Sequence, residues 1–247
     1  MKKAGEIVAD VLLKLKESAI VGQTTGELNR IAEKMAAKAG AETLFKGVRN
    51  PYGYKPFPAA ICTSINQQVV HGIPSDKVIL QEGDILSIDF GVRLLGYCGD
   101  AATTVAIGKI DERKQHLMDV TSKMLDIAIE NSRAGKKWSQ VAGLMQEAAK
   151  SAGFSVVTEF VGHGIGTQMH EDPKVPNFVS RDLLNDDILL REGMILAVEP
   201  MVNMGTSQVI TLKDGWTVAT KDGKPSAHFE HTIAITKNGC EVLTTRN

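Results

Sequence analysis

"EGDILSID", residues 82–89, and "EGMILAVE", residues 192–199, are one phrase written twice. Each enters through Glu-Gly, continues as a short apolar strand, and ends on a carboxylate where a core strand would carry Val or Leu. The blocks around the phrase match too, in the same order. In the first half a helix ending "AAKAG" precedes "VVHGIP", "EGDILSID" and "GDAATTVAIGK". In the second half a helix ending "AAKSAG" precedes "VGHGIG", "EGMILAVE" and "FEHTIAITKNG". The spacing differs, 18 residues from His71 to Asp89 but 36 from His163 to Glu199. The chain therefore reads as a single catalytic domain, 1–247, with an internal duplication of about 1–110 and 111–247, and not as a short-period solenoid. Two such halves packed about a pseudo-twofold axis bring equivalent positions, here acids and histidines, to one central site.

Composition narrows the function classes. A chain of 247 residues with 43% apolar content buries a substantial core. A net charge of −1 offers no basic face, so nucleic acid is not expected as a direct partner. Three widely spaced cysteines (Cys62, Cys98, Cys240) with no C-x-x-C argue for a reducing compartment and against a disulfide scaffold or cysteine-based zinc site. The opening "MKKAGEIVADVLLKLKE" has a basic tip, but Glu6, Asp10 and Lys14 interrupt any signal-peptide core and the apolar spacing is helical. No run of eighteen apolar residues exists, so no membrane span is expected, and the expected location is the cytoplasm.

The spacing predicts two opening helices. One carries Ile7, Val8, Val11, Leu12 and Leu15 on a stripe; the other starts at a capping box, Thr24 to Glu27, and stops at Gly40. After the loop "GVRNPYGYKPFPA" come the strand-like "AAICTSI", "DILSIDFGVRLLG" and "AATTVAIG". Asp111 then caps a third helix ending near Gly135, and "KWSQVAGLMQEAAKSAG" is a fourth. From there the pattern is strands to the end. Helices and antiparallel strands in blocks indicate an α+β fold.

Asp89, Asp100, Glu199 and Glu230 all fall on or beside apolar strands, and His163 sits between glycines in "VGHGIG". Alternation places His228 and Glu230 on one face and His231 on the other. A buried unpaired ion costs several kcal/mol, and like charges add to that. Arg93 is the one basic residue within these strand cores, so divalent cations are the better neutraliser. Four acids and one neutral imidazole form a ligand set for two metals. A single strand-end Asp is usually a turn or cap, and a lone His usually a satisfied core residue; Asp84, Asp111 and His116 fit those readings. "HFEH" alone is a weak metal motif, and "GHGIG" lacks the strand–loop–helix grammar of a phosphate loop. The ensemble, in matched positions of a doubled chain, carries the metal reading.

Taken together, "VVHGIPSD", "GDILSIDFGV", "GYCGDAATT", "GHGIGTQMHEDP", "LAVEPM" and "HFEHTIAIT" resemble the type I methionine aminopeptidases, which have the pita-bread fold of the creatinase/prolidase superfamily. The likeness runs from about Ala4 to Leu243. It implies a fold of two pseudo-symmetric halves, an antiparallel sheet covered by helices. It also implies two divalent metal ions held by Asp89, Asp100, His163, Glu199 and Glu230. Asp100 and Glu230 would bridge, Asp89 would chelate one ion, and His163 with Glu199 would complete the other. Glu199 would move the proton of the attacking water, His170 would meet the scissile carbonyl oxygen, and His71 the peptide nitrogen side. Tyr54, Phe57, Cys62 and Trp216 would line the methionine pocket.

The implied activity is removal of an N-terminal methionine from nascent proteins and peptides with a small second residue. Oxygen donors with one imidazole admit Mn, Fe, Co, Ni or Zn. Peptide and nascent-protein N-termini are the expected partners, with the ribosome as an expectation from action on nascent chains, and a monomer as the expected state. Met169, the 176–193 loop and a late start without an acidic lead-in depart from the family pattern. Two rivals remain open at this level: an X-Pro peptidase of the same superfamily, which usually carries a further N-terminal domain, and a metal-free pita-bread module that binds peptides. A two-metal phosphoesterase finds no basic phosphate cradle.

Overall fold

The structure is a computed structural model and describes residues 1–245. Helix α1 (Lys2–Ser18) buries Ala4, Val8, Val11, Leu12 and Leu15 along the predicted stripe. Helix α2 (Thr25–Lys38) begins at the expected capping box: the Glu27 N–H donates to Thr24 Oγ1 at 3.2 Å and the Thr24 N–H to Glu27 Oε2 at 3.3 Å. It ends before Gly40, whose φ of +66° turns the chain away. The first half continues through β1 (Glu42–Thr43), β2 (Ile61–Ile65), β3 (Gln68–Val70), β4 (Ile85–Leu94) and β5 (Tyr97–Ala106).

Helix α3 (Glu112–Asn131) is capped by Asp111, which accepts from the Lys114 N–H. It stops four residues before Gly135, because Ser132 goes extended and the Gly135 N–H is drawn to the Leu190 carbonyl. Helix α4 (Trp138–Ser151) follows, then β6 (Ser155–Val156), β7 (Gly162–Gly164) and β8 (Glu171–Val175). The expectation of strands alone beyond this point fails at a short helix, α5 (Arg181–Asn185). Ser180 caps it by accepting from the Leu183 N–H, and Leu183 is buried in the core beneath. The remaining strands are β9 (Ile195–Val198), β10 (Met201–Asn203), β11 (Val209–Thr211), β12 (Val218–Thr220), β13 (Ser226–His228), β14 (Glu230–Ile235) and β15 (Cys240–Val242).

Among the described residues nine strands join in one sheet, β1-β4-β5-β14-β9-β7-β8, with β2 also beside β4 and β15 beside β14. Its centre reads β2-β4-β5 against β14-β9-β7, every pair antiparallel, so the strand order is mirrored about the β5–β14 contact. Two three-stranded sheets, β13-β10-β6 and β11-β12-β3, flank it. Each half has its own apolar core. One is built from residues between Ala4 and Ile107, where α1 covers β4 and β5 and α2 packs against α1, β1 and β2. The other lies between Leu117 and Ile235, with Ile85 joining it, under α3 and α4. Among the described residues no helix is long and apolar enough to cross a membrane.

Candidate functional site

The mirrored strands deliver the acids to one place. Asp89 on β4 lies opposite Ala102 of β5 and Cys62 of β2; Asp100 on β5 lies opposite Gly91. Gly91 has a local purpose, since a Cβ there would sit 2.9 Å from Asp100 Oδ1, where the carboxylate must fit. Glu230 opens β14 opposite Ala102, and Glu199 follows the last residue of β9. His163 is the middle residue of β7, paired with Ala197, and a Cβ on neighbouring Gly162 would land on the Ala197 carbonyl. Asp100, His163 and Glu230 present ligand atoms all within 4.8 Å of one another. Glu199 joins them through its Oε1, 3.7 Å from His163 Nε2.

The electrostatics are those of a site built for cations. Burial raises the pKa of Asp89, with the charges of Asp100 and Glu199 adding to it. Burial also raises Asp100, to about 7. Glu199 and Glu230 are raised by burial and then by their acid neighbours. Among the described residues no Lys or Arg ion pair reaches any of the four. Asp89 Oδ1, Asp100 Oδ1 and Glu230 Oε1 are buried with no hydrogen-bond partner. Buried carboxylate oxygens normally find donors. Three orphaned oxygens at one site, two of them within the cluster with His163, fit hard, oxygen-preferring divalent ions, and His163 supplies the borderline nitrogen. Its imidazole is held neutral, as a ligand must be, because burial lowers its pKa to about 4.

A cavity of about 760 Å³ opens on this cluster. Asp89, His163 and Glu199 line it together with an apolar wall of Phe45, Phe57, Cys62, Met169 and Trp216. Phe57 and Trp216 meet edge to face at 5.3 Å, and the Trp216 indole N–H donates to the Lys55 carbonyl. His71 and His170 both line the cavity. His71 holds a φ of +60°, a left-handed conformation uncommon for histidine and concentrated at functional sites. Its ring stands edge-on to Phe160 and Trp216, and burial, with the neighbouring His170, lowers its pKa to about 4. His170, at the exposed mouth, packs against His163 with ring centres 4.4 Å apart.

Tyr54 stands apart from the other expected pocket residues. Half-exposed, its ring covers Gly215 and does not line the cavity. Phe45, Phe160 and Met169 take part in the lining instead. Met169 carries the sequence departure at this rim directly into the apolar wall.

Alternation set His228 on the face of Glu230 without assigning it a role, and the structure brings it to the cluster. The strand that alternation predicted through 228–231 is broken at Phe229: β13 ends on His228 and β14 starts on Glu230, in different sheets. His228 is 2% exposed, and its Nε2 lies 3.8 Å from Glu199 Oε2. His231 turns the other way, to Thr244 Oγ1 at 2.9 Å. Two threonines stiffen the floor. Thr232 Oγ1 donates to the Asp100 carbonyl at 2.7 Å and accepts from its N–H at 3.1 Å. Thr104 Oγ1 does the same to His228, at 2.7 and 2.9 Å. No local sequence signal distinguishes these hydroxyls from ordinary strand threonines.

Comparison with known proteins agrees with this geometry. The profile of metallopeptidase family M24 matches residues 1–237. A methionine aminopeptidase of Clostridium perfringens is 48% identical over 99% of this chain and 94% of its own. The crystal structure of a methionine aminopeptidase from Thermotoga maritima superposes with a TM-score of 0.93 at 41% identity, covering 100% of this chain and 95% of that one. A prolidase from Pyrococcus horikoshii shares the fold, with a TM-score of 0.77 at 22% identity; this chain covers 61% of it.

Proposed function

The chain belongs to metallopeptidase family M24, and from that premise we propose that it removes N-terminal methionine from peptides and nascent proteins whose second residue is small. The carrying observation is the clustering of Asp100, His163 and Glu230, with orphaned carboxylate oxygens on Asp100 and Glu230, beside an apolar cavity that Asp89 also lines. Asp89, Asp100, His163, Glu199 and Glu230 would hold two divalent ions. When bound, such ions polarise the scissile carbonyl and lower the pKa of a water toward about 7.

The chain's own groups do the rest. Glu199, at the cavity wall, takes the proton of the attacking water and returns it to the leaving amine nitrogen, so that water adds across the amide C–N bond. His170 at the mouth donates to the carbonyl oxygen as negative charge grows there, and His71 meets the peptide nitrogen side. Phe57, Cys62, Trp216 and Met169 enclose the methionine side chain, where sulfur–aromatic contacts contribute roughly 0.3–1.5 kcal/mol each. The substrate's free α-amino group binds against the acids, which makes the reaction an exopeptidase one. The chain would work as a monomeric cytoplasmic unit on chains emerging from the ribosome, its halves meeting near residue 110.

The test is metal analysis together with cleavage of Met-Ala-Ser by the parent and by Asp100→Asn. The parent should carry divalent metal and release methionine. Asp100→Asn should lose metal affinity and kcat/KM by about a hundredfold or more, since even groups behind the ligands typically cost 10–100-fold. A parent that cleaves X-Pro peptides but not Met-Ala-Ser sinks the substrate assignment.

A further inference from the structure

The doubled architecture assigns His228 a partner in the other half. Matching 82–89 to 192–199 makes Ile88 equivalent to Val198. In β4–β5, Ile88 pairs with Thr103; in β9–β14, Val198 pairs with His231. Thr103 and His231 are then equivalent, and counting along the chain from them makes Asp100 equivalent to His228 and Thr104 equivalent to Thr232. The hydroxyl clamps obey this relation. Thr104 grips the backbone of His228, and Thr232 grips that of Asp100, each reaching across to the other half. His228 thus occupies the mirror position of an acid of the metal centre, with its backbone fixed in the same way and further tied by β13's pairing of His228 with Met201.

Its side chain has no other use in view. His228 is almost fully buried, and its Nε2 has no hydrogen-bond partner among the described residues. Glu199 stands beside it, its carboxylate with one imidazole against each oxygen: His163 Nε2 at 3.7 Å from Oε1 and His228 Nε2 at 3.8 Å from Oε2. Resting on the metal-centre reading above, we propose that His228 is a positioning residue for that centre: its Nε2–H donates to Glu199 Oε2 and leaves Oε1, on the His163 side, as the ligand oxygen. A contraction of under 1 Å brings Nε2 and Oε2 to ordinary hydrogen-bond distance. Holding one oxygen fixes the carboxylate's rotation, as outer partners do for metal-binding carboxylates generally.

The test is Mn²⁺ titration of the chelator-stripped full chain, followed by the electron paramagnetic resonance signal of free Mn²⁺. Parent, Asp100→Asn, His228→Gln and His228→Leu are compared, with circular dichroism melts confirming that each is folded. His228→Leu fills the space without a donor and should weaken Mn²⁺ binding roughly 10–100-fold. His228→Gln carries an amide N–H at similar reach and should restore affinity near that of the parent. Equal affinity in His228→Leu and the parent, alongside loss in Asp100→Asn, overturns this proposal and leaves the metal centre standing. A folded His228→Gln as weak as His228→Leu also overturns it, because shape and not donation then matters. A parent that binds no Mn²⁺ removes the metal centre and this proposal together.

Discussion

The two halves present the same strands to the centre but arm them differently. In the first half, β4 and β5 bring Asp89 and Asp100, oxygen donors only. In the second, the matching stretches bring Glu199, Glu230 and two imidazoles, His163 and His228, each within 4 Å of Glu199. The first half also supplies much of the cavity's apolar wall through Phe45, Phe57 and Cys62. The mirrored strand order therefore explains where the functional groups stand, and the residues each strand carries explain what each does. One side is a carboxylate cradle that needs positive charge; the other mixes carboxylates with neutral bases.

That view requires each half to be stable through its own packing, and the cores can be broken separately. Trp138 on α4 is fully buried in the second core, its indole N–H bound to the Pro176 carbonyl at 2.7 Å. Leu15 on α1 is equally buried in the first. Trp138→Ala should cost about 3–5 kcal/mol and Leu15→Ala about 2–5 kcal/mol. Because the cores share few residues, the double variant should lose close to the sum. A large shortfall or excess in denaturant titrations would show one continuous core and weaken the two-half description.

How much of this was legible in the sequence depends on range. The helices were, because capping and amphipathic spacing are local: the Thr24 box and the Asp111 cap stand where the residues put them. The acids were legible because a carboxylate ending an apolar strand is itself anomalous, and here it occurs twice. What stayed hidden was set by distant contacts. Helix α5 exists because Leu183 finds the core, and Tyr54 leaves the cavity because its ring finds Gly215. Alternation put His228 on the face of Glu230, but the change of sheets at Phe229 and the approach to Glu199 depend on distant strands and were not legible.

Charge offers a sharper comparison, between the acids and the imidazoles of the metal-stripped protein. Asp100 is raised to about 7 by burial, so between its unfolded value near 3.8 and about 7 the folded state holds a proton that the unfolded state has lost. Its contribution is present below pH 4 and disappears as pH rises through 7. His71 and His163 have the opposite sign: lowered from 6.5 to about 4, they contribute above pH 6.5 and lose that contribution as pH falls through 4. Stripped Asp100→Asn should therefore be more stable than the stripped parent at pH 8, by on the order of a few kcal/mol. The gap should close by pH 4. With saturating metal the gap should narrow, since ligand at a hundred times its Kd contributes about 2.7 kcal/mol to the parent alone. Melting curves with and without chelator check both signs; a stripped parent that outlasts Asp100→Asn at pH 8 would mean that the cradle is not electrostatically strained.

The smallest effect compares how the matching helices α2 and α4 begin. Both follow an isolated antiparallel bridge, Thr24 to Ile79 and Lys137 to Leu189. Thr24 caps α2 from its own side chain, whereas Lys137 gives α4 no side-chain cap. Asp187, from the loop after α5, takes over: it accepts from the Ser139 N–H at 3.1 Å and from Ser139 Oγ at 2.6 Å. One half meets its exposed helix-end N–H groups locally, the other through a residue 48 positions away. Thr24→Ala and Asp187→Ala should each cost about 1 kcal/mol, or about 2–4 °C in Tm for a chain of this size. They should differ in kinetics. A cap that acts only once the loop is docked contributes after the transition state, so Asp187→Ala should mainly speed unfolding, while Thr24→Ala should also slow folding if α2 forms early. Identical partition of the two losses between folding and unfolding rates would erase this distinction between the halves.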